Sequence, residues 1–328
     1  MHATTMSSIS NALKSQTRHY FQKLAPVDVV VIGHCSIMAL LLAMRVRNES
    51  AVAVPYLLRY LAVMFAALIA GPAIDRSQNP LAQSPPVQLF RHVYPIFLMA
   101  PFYHWVYPIG RIFLAVPYER MLLRGDELLF GFNVARDLVH RCGDRVWLTE
   151  WMNLSYLSYY LVTLYLPVYL YLAKRMKEFF YTAFISGAIM FICFTLHALF
   201  PSRGPHAYDP VVTGYLQAGP VTEFARLFLM RADIPVGAMP SSHIAGTIAV
   251  LLLAFRFARP AFWITLPVAA SLCIATVYCR YHFAVDGLAG VIIALAGVYW
   301  IGPRVYARLF PDLVPDRNGE QVGAAGPA

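Results

Sequence analysis

Seven stretches of about twenty residues carry little or no charge, at 26–45, 54–72, 152–173, 178–200, 241–257, 261–279 and 281–302. Each is long enough to cross about 30 Å of hydrocarbon as a helix. An eighth, 92–114, is interrupted by Pro95, Pro101, Pro108, His92 and His104, and its aromatics suit either a kinked span or an interfacial segment. Only 13% of the 328 residues are charged and 59% are hydrophobic, about half the charged share of a soluble domain. The chain is therefore expected to be all-α, a multi-pass transmembrane helix bundle of about eight spans, seven at the least.

The net charge of +9 does not point to nucleic acid, because Lys and Arg sit between the hydrophobic runs and form no stripe beside aromatic RNA-reading signatures. They mark topology. Lys174, Arg175 and Lys177 precede span 178–200, Arg256 and Arg259 follow 241–257, and Arg304 and Arg308 follow 281–302. By the positive-inside rule these ends are cytoplasmic, so the opposite ends face the periplasm or a lumen. Lys14, Arg18 and Lys23 put the N-terminus on the cytoplasmic side as well. Both termini inside require an even number of spans, which favours counting 92–114 as a crossing, although Arg45 and Arg47 then fall outside.

The expected organisation is a cytoplasmic tail (1–25), N-terminal transmembrane helices (26–116), a catalytic membrane domain (117–303) and a second cytoplasmic tail (304–328). The first apolar stretch contains Asp28 and His34 without a small-residue cleavage site and reads as a retained helix. Cys35, Cys142, Cys193, Cys273 and Cys279 show no metal or disulfide spacing and read as small apolar side chains. Segment 117–150 mixes Arg and acidic residues around leucines, the pattern of amphipathic helices on the outer surface. Segment 207–238, with an amphipathic stretch from Val221 to Arg231, is long for a connector, and long loops are more often functional.

Asp286 is the only acidic residue between Asp233 and Asp312, and ionisable groups this close to a bilayer core are retained for function. It stands four residues after His282, on the same helix face. A carboxylate there can hold one imidazole nitrogen as N–H and leave the other lone pair free to attack phosphorus. His243 follows Pro240-Ser241-Ser242, so it falls in the first turn of a helix, where free N–H groups favour an anion. A histidine there can protonate a leaving oxygen. Arg203, in Phe200-Pro-Ser-Arg-Gly-Pro-His206, and Arg280 can grip phosphate oxygens. Taken singly, each has a plainer reading: a self-satisfied helix-end pair, an interfacial histidine, a headgroup-contacting arginine. Their coincidence on one face supplies a nucleophile (His282), its orienting carboxylate (Asp286), a general acid (His243) and phosphate contacts from Arg203, Arg280, Ser241 and Ser242. His206, Tyr208 and Asp209 are candidate substrate-loop residues. No Asp/Glu/His cluster with metal spacing lies near the motifs, so neither a metal nor an organic cofactor is expected.

These three blocks resemble those of the type-2 phosphatidic-acid phosphatase and vanadium haloperoxidase superfamily, over roughly residues 115–300. The chain departs from the superfamily's usual pattern. Leu196 stands where a lysine is usual, Gly204 replaces a proline, Ser242 replaces a glycine, and Thr276 occupies the arginine position of the third block. The variant set Met239-Pro-Ser-Ser-His243 with Arg280-Tyr-His-Phe-Ala-Val-Asp286-Gly287 is similar instead to the inositol-phosphorylceramide synthase and sphingomyelin synthase branch. Asp126-Glu-Leu-Leu-Phe-Gly131, before a tyrosine-rich span with Tyr156, Tyr159 and Tyr160, resembles that branch too.

The resemblance implies a six-helix phosphatase-like core and a phosphohistidine on His282. It implies a membrane-lipid substrate, whether a phospholipid, a ceramide-type lipid or a polyprenyl phosphate. Transfer of a phospho-headgroup between lipids, as in inositolphosphotransferases of sphingolipid metabolism, is the expectation. Hydrolysis of phosphatidic acid or polyprenyl phosphate is the alternative, and a non-catalytic lipid-binding or transport protein is a rival of another class.

Overall fold

A computed structural model describes residues 24–113, 118–209, 216, 218–232, 234 and 236–316. Nearly all of the expected N-terminal tail, the end of the C-terminal one, the 116/117 boundary and part of the 207–238 segment lie outside the described residues. Every regular element described is helical. Five helices are long and apolar enough to cross a membrane: α1 (Pro26–Ala43), α2 (Ser50–Arg76), α8 (Met176–Leu199), α12 (Arg259–Tyr278) and the segment Ala284–Leu309. That last segment is α13 (Ala284–Leu295) and α14 (Gly302–Leu309), joined without a break through a π-helical turn at Ala296–Ile301. The expected boundary at residue 303 therefore falls inside a helix.

The prolines of the interrupted stretch do not break it. Pro85–Phe113 forms one helix, α3, as neighbouring helices allow in a bilayer. Near its start Arg91 Nη1 and Nη2 donate to the Asp28 carboxylate of α1 at 2.8 and 2.5 Å. Asp75 of α2 also accepts from Arg91, and Tyr94 donates to Asp28 at 2.9 Å. At the other end Arg45, just beyond α1, donates to the Phe113 carbonyl at 3.0 Å. From Arg91 to Phe113 a helix rises about 33 Å, so α3 accompanies α1 from end to end. Arg45, exceptional as a topology marker, thus closes the C-terminal end of α3.

The outer segment forms α4 (Glu119–Phe130) and α5 (Val134–Cys142), with Gly131 in the left-handed region (φ 80°) ending α4 and Asn133 capping α5 through a hydrogen bond from the Arg136 N–H. The tyrosine-rich run is two helices, α6 (Val146–Leu157) and α7 (Tyr159–Leu172), meeting at Ser158. A short α9 (Pro205–Tyr208), α10 (Pro220–Ala232) and α11 (Ser242–Phe257) complete the set. The amphipathic stretch read from Val221 to Arg231 coincides with α10.

Helix α8 is the hub, packing against α1, α3, α7, α11 and α14. Helices α11 and α13 approach closely because a side chain at Gly290 would meet the Ser241 carbonyl at 2.6 Å. Small residues at such contacts are what let membrane helices pack. Helix α11 has 16 residues, about 24 Å, less than the thickness of the hydrocarbon core.

Candidate active site

Two sharp backbone turns deliver the third block to the second. Thr276 is buried, and its carbonyl accepts the N–H groups of Tyr281 and His282 at 3.1 and 3.2 Å. Arg280 adopts a left-handed conformation (φ 66°), and its carbonyl accepts both the N–H and the Nδ1–H of His206 at 3.0 Å. Gly204 lies directly on this turn: a Cβ there would collide with the Tyr281 carbonyl. Glycine in place of the usual proline is what allows the first block to press against the third.

His282 is nearly fully buried. Its Nδ1 lies 2.8 Å from the Ala238 carbonyl. A carbonyl only accepts, so Nδ1 carries the hydrogen and Nε2 presents a lone pair when the ring is neutral. His282 Nε2 is 3.5 Å from His243 Nδ1, and His243 Nε2 is 3.0 Å from the Tyr156 hydroxyl. With the lone pair of His282 fixed, the hydrogen bonds run in one direction, from Tyr156 O–H to His243, from His243 Nδ1–H to His282, and from His282 Nδ1–H to Ala238. His243 also packs against the tilted rings of Tyr156 and Tyr159, with ring centroids at 4.9 and 4.4 Å.

Asp286 Oδ2 lies 3.7 Å from His282 Nδ1, beyond hydrogen-bond range. The sequence suggests that this carboxylate holds the imidazole N–H directly, whereas the Ala238 carbonyl takes that bond. The reason is local. Asp286 is in the first turn of α13, and its Oδ2 accepts the Phe283 N–H at 2.8 Å. Asp286 thus sets the ring's electrostatic surroundings from behind, fully buried.

The first turn of α11 is anchored through Ser241. Ser241 Oγ accepts from the Ile244 N–H, and the Ser241 N–H donates to the Asp286 carbonyl at 3.0 Å. This anchors one helix start to the other and leaves the N–H groups of Ser242 and His243 at the open end of the helix. Arg203 stands opposite. Its Nε and backbone N–H both donate to Glu119 Oε1 at 3.0 Å, and its guanidinium lies over the Tyr208 ring at 5.3 Å. Glu119 thus orients an arginine whose side chain remains 41% exposed.

Arg203, His206, Ser242, His243 and His282 line one cavity of about 40 Å³, together with Tyr103, Tyr156 and Gly237. The remaining sequence candidates lie outside its wall. Ser241 and Asp286 support it from behind, Arg280 is buried beneath it, and Tyr208 lies under Arg203. Asp209 is buried and turned away, accepting from Arg136 Nε and Nη2 at 2.6 and 2.8 Å, a pairing that holds the Arg136 guanidinium above its usual range.

Sequence reasoning missed Ala238, Tyr103, Glu119 and the contact of Tyr156 with His243. It also missed His197, whose Nε2 donates to the Pro240 carbonyl at 2.8 Å. Asp126 of α4 has a role of its own: its carboxylate accepts the Ala284 and Val285 N–H groups at 3.2 and 2.9 Å, capping the helix that carries Asp286. Burial pushes this carboxyl up to about 6, against the pull of those two N–H donors and with help from the nearby Asp286 charge. Among the described residues no group of three or more His, Cys, Asp or Glu is arranged to hold a metal ion.

An all-helical bundle that sets two histidines together beside the first turn of one of its helices defines a class, and the comparisons agree. Residues 121–300, more than half of the chain, match the PAP2 superfamily, and the protein belongs to it. It is similar to a PA-phosphatase related-family protein of Dictyostelium discoideum, 30% identical over 173 residues, covering 45% of this chain and 31% of the relative. The match thus spans about a third of that relative's length. No solved structure matches the chain.

Proposed function

We propose that this protein is an integral-membrane enzyme that cleaves a lipid phosphoester through a phosphohistidine on His282 and passes the phospho-group to an alcohol acceptor, as an inositol-phosphorylceramide synthase does. The observation that carries this reading is the directed Tyr156–His243–His282–Ala238 chain opening onto a cavity that Arg203 and the start of α11 share. The lipid's phosphate enters between the two histidines, which separate to admit it. With the phosphate's negative charge between the histidines, His243 acts as the imidazolium, its Nε2–H then donating to the Tyr156 oxygen. His282 Nε2 attacks phosphorus, the P–O bond to the leaving alcohol breaks, and the Nδ1 proton of His243 goes to the departing oxygen, leaving that ring neutral. In the second half the acceptor's hydroxyl gives its proton back to His243 Nδ1 and attacks phosphorus, and the P–N bond breaks with its electron pair returning to Nε2. Arg203, Arg280 and the N–H groups of Ser242 and His243 balance the phosphate charge throughout.

On this reading eight helices cross the membrane, both termini are cytoplasmic and the site opens extracytoplasmically. The catalytic domain starts at α4, and the 207–238 segment screens the pocket from water. A second reading, hydrolysis of phosphatidic acid or a polyprenyl phosphate, is favoured by the name of the Dictyostelium relative. The two separate in one assay. Purified protein is given phosphate-labelled lipid donors with and without inositol lipids, ceramide or sugars. A labelled transfer product supports the synthase reading, whereas rapid release of free phosphate with no transfer product establishes the phosphatase.

A further inference from the structure

Behind the catalytic cavity lies a second and much larger one, of about 490 Å³, the size of a small-ligand site. It is walled by α1, α3, α7, α8 and α11, and its lining is almost wholly hydrocarbon and aromatic. Four residues belong to both cavities: Tyr103, Tyr156, Ser242 and His243. The large cavity therefore begins where the reacting groups stand.

Its other end is fixed by ring contacts. Tyr103 of α3 packs on Phe194 of α8 at 5.8 Å beside the site, and His92 packs on Phe179 at 6.4 Å at the far end. The α3 wall runs from Leu89 to His104 and the α8 wall from Phe179 to Phe194. Both correspond to a depth of about 22 Å, well over half the hydrocarbon thickness of a bilayer. Along its length the chamber is deep and mainly apolar, matching in depth and chemistry one extended hydrocarbon chain whose polar head stops at His243.

We propose that this chamber binds one long acyl or alkyl chain of the lipid substrate, so that chain length and phosphate position are read together. The inference rests on the proposed lipid-phosphoester reaction and adds the part of the substrate that the histidines do not touch. It also gives the N-terminal helices a task. Val27 and Val30 of α1 and the α3 wall lie outside the 121–300 superfamily region, so part of the wall that meets the chain comes from elements outside that region.

Ala183 lies on the α8 wall, 14 residues before His197 and about 21 Å deeper along the helix. A larger side chain there fills the floor without touching the reacting groups. The experiment uses the full-length protein in detergent with phosphatidic acid bearing a diazirine at the end of one palmitoyl chain. Illumination is expected to label peptides within 89–100 and 179–187. Ala183→Phe is expected to cut that labelling by roughly tenfold or more, the effect of overfilling a packed site. Ala183→Leu and Ala100→Phe, on facing walls, carry the same expectation if the first variant does not fold. Label spread over outward-facing residues such as Trp263 and Ile264 of α12, and unchanged in these variants, overturns the chamber. Label in the chamber with no turnover of this lipid or of a phosphatidylinositol donor, with or without added ceramide, refutes the catalytic reading and leaves the chamber standing.

Discussion

His282 donates its Nδ1 hydrogen to the Ala238 carbonyl at 2.8 Å, and this one bond decides which nitrogen presents a lone pair. Because the carbonyl cannot donate, the Nε2 lone pair faces His243 and the direction of every hydrogen bond back to Tyr156 follows. A backbone carbonyl 44 residues away in sequence thus performs the task that the His-Asp spacing assigns to a carboxylate.

Asp286→Asn is accordingly expected to cost less than loss of His282. The asparagine oxygen can still accept the Phe283 N–H that Oδ2 accepts now, while the negative charge 3.7 Å from the ring is gone. Turnover should fall by roughly tenfold to a hundredfold with the fold intact, as judged by thermal unfolding. A loss equal to that of His282→Ala would show that the carboxylate, not Ala238, governs the ring.

Tyr156→Phe removes the hydroxyl that lies 3.0 Å from His243 Nε2 but keeps the ring that packs on it at 4.9 Å. The proton on Nδ1 is then no longer favoured over one on Nε2. We expect kcat to drop about tenfold with KM nearly unchanged, the pattern of an interaction used in the transition state. A raised KM with normal kcat would make Tyr156 a substrate-binding residue instead.

The Asp126 cap should give the protein a pH-dependent stability. Its folded value of about 6 lies above the ordinary 3.8, so the folded state holds this proton more tightly than the unfolded state. The contribution is complete below pH of about 4 and is lost as pH rises through about 6. Asp126→Asn keeps an oxygen to accept the Val285 N–H, gives up the one that Ala284 uses, at a cost that does not vary with pH, and cannot ionise. The melting temperature of the variant minus that of wild type should therefore grow between pH 4 and 7, and parallel curves would contradict it.

Much of this molecule is legible in its sequence. The apolar runs mark the helices, and the two histidine blocks mark where they meet. The continuity of α3 is hidden because three prolines signal breaks in water, whereas in this bundle Arg91, Tyr94 and the Arg45 contact hold the helix against α1. Ala238, Tyr103 and Glu119 are invisible for a different reason. They act through a backbone atom, a ring or an ion pair brought in from remote elements, and no local spacing encodes such contacts. Asp209 shows the converse, a residue suggestive in sequence that the fold turns toward Arg136.

The orientation proposed from the basic helix ends can be tested directly. In a background without the native cysteines, single cysteines near Pro205 and Asp144 should react with an impermeant thiol reagent on intact cells, and ones near Lys174 and Arg259 should not. Labelling of the Lys174 turn from outside would invert the orientation.

The central claim is that His282 becomes phosphorylated. Wild-type protein mixed with phosphate-labelled lipid and quenched in alkali should carry acid-labile label on the peptide containing His282. His282→Ala should carry none and lose at least about a hundredfold in turnover. His243→Ala should be slowed as severely, because it lacks the acid that releases the alcohol. Label on another residue, or near wild-type turnover in His282→Ala, would contradict the account.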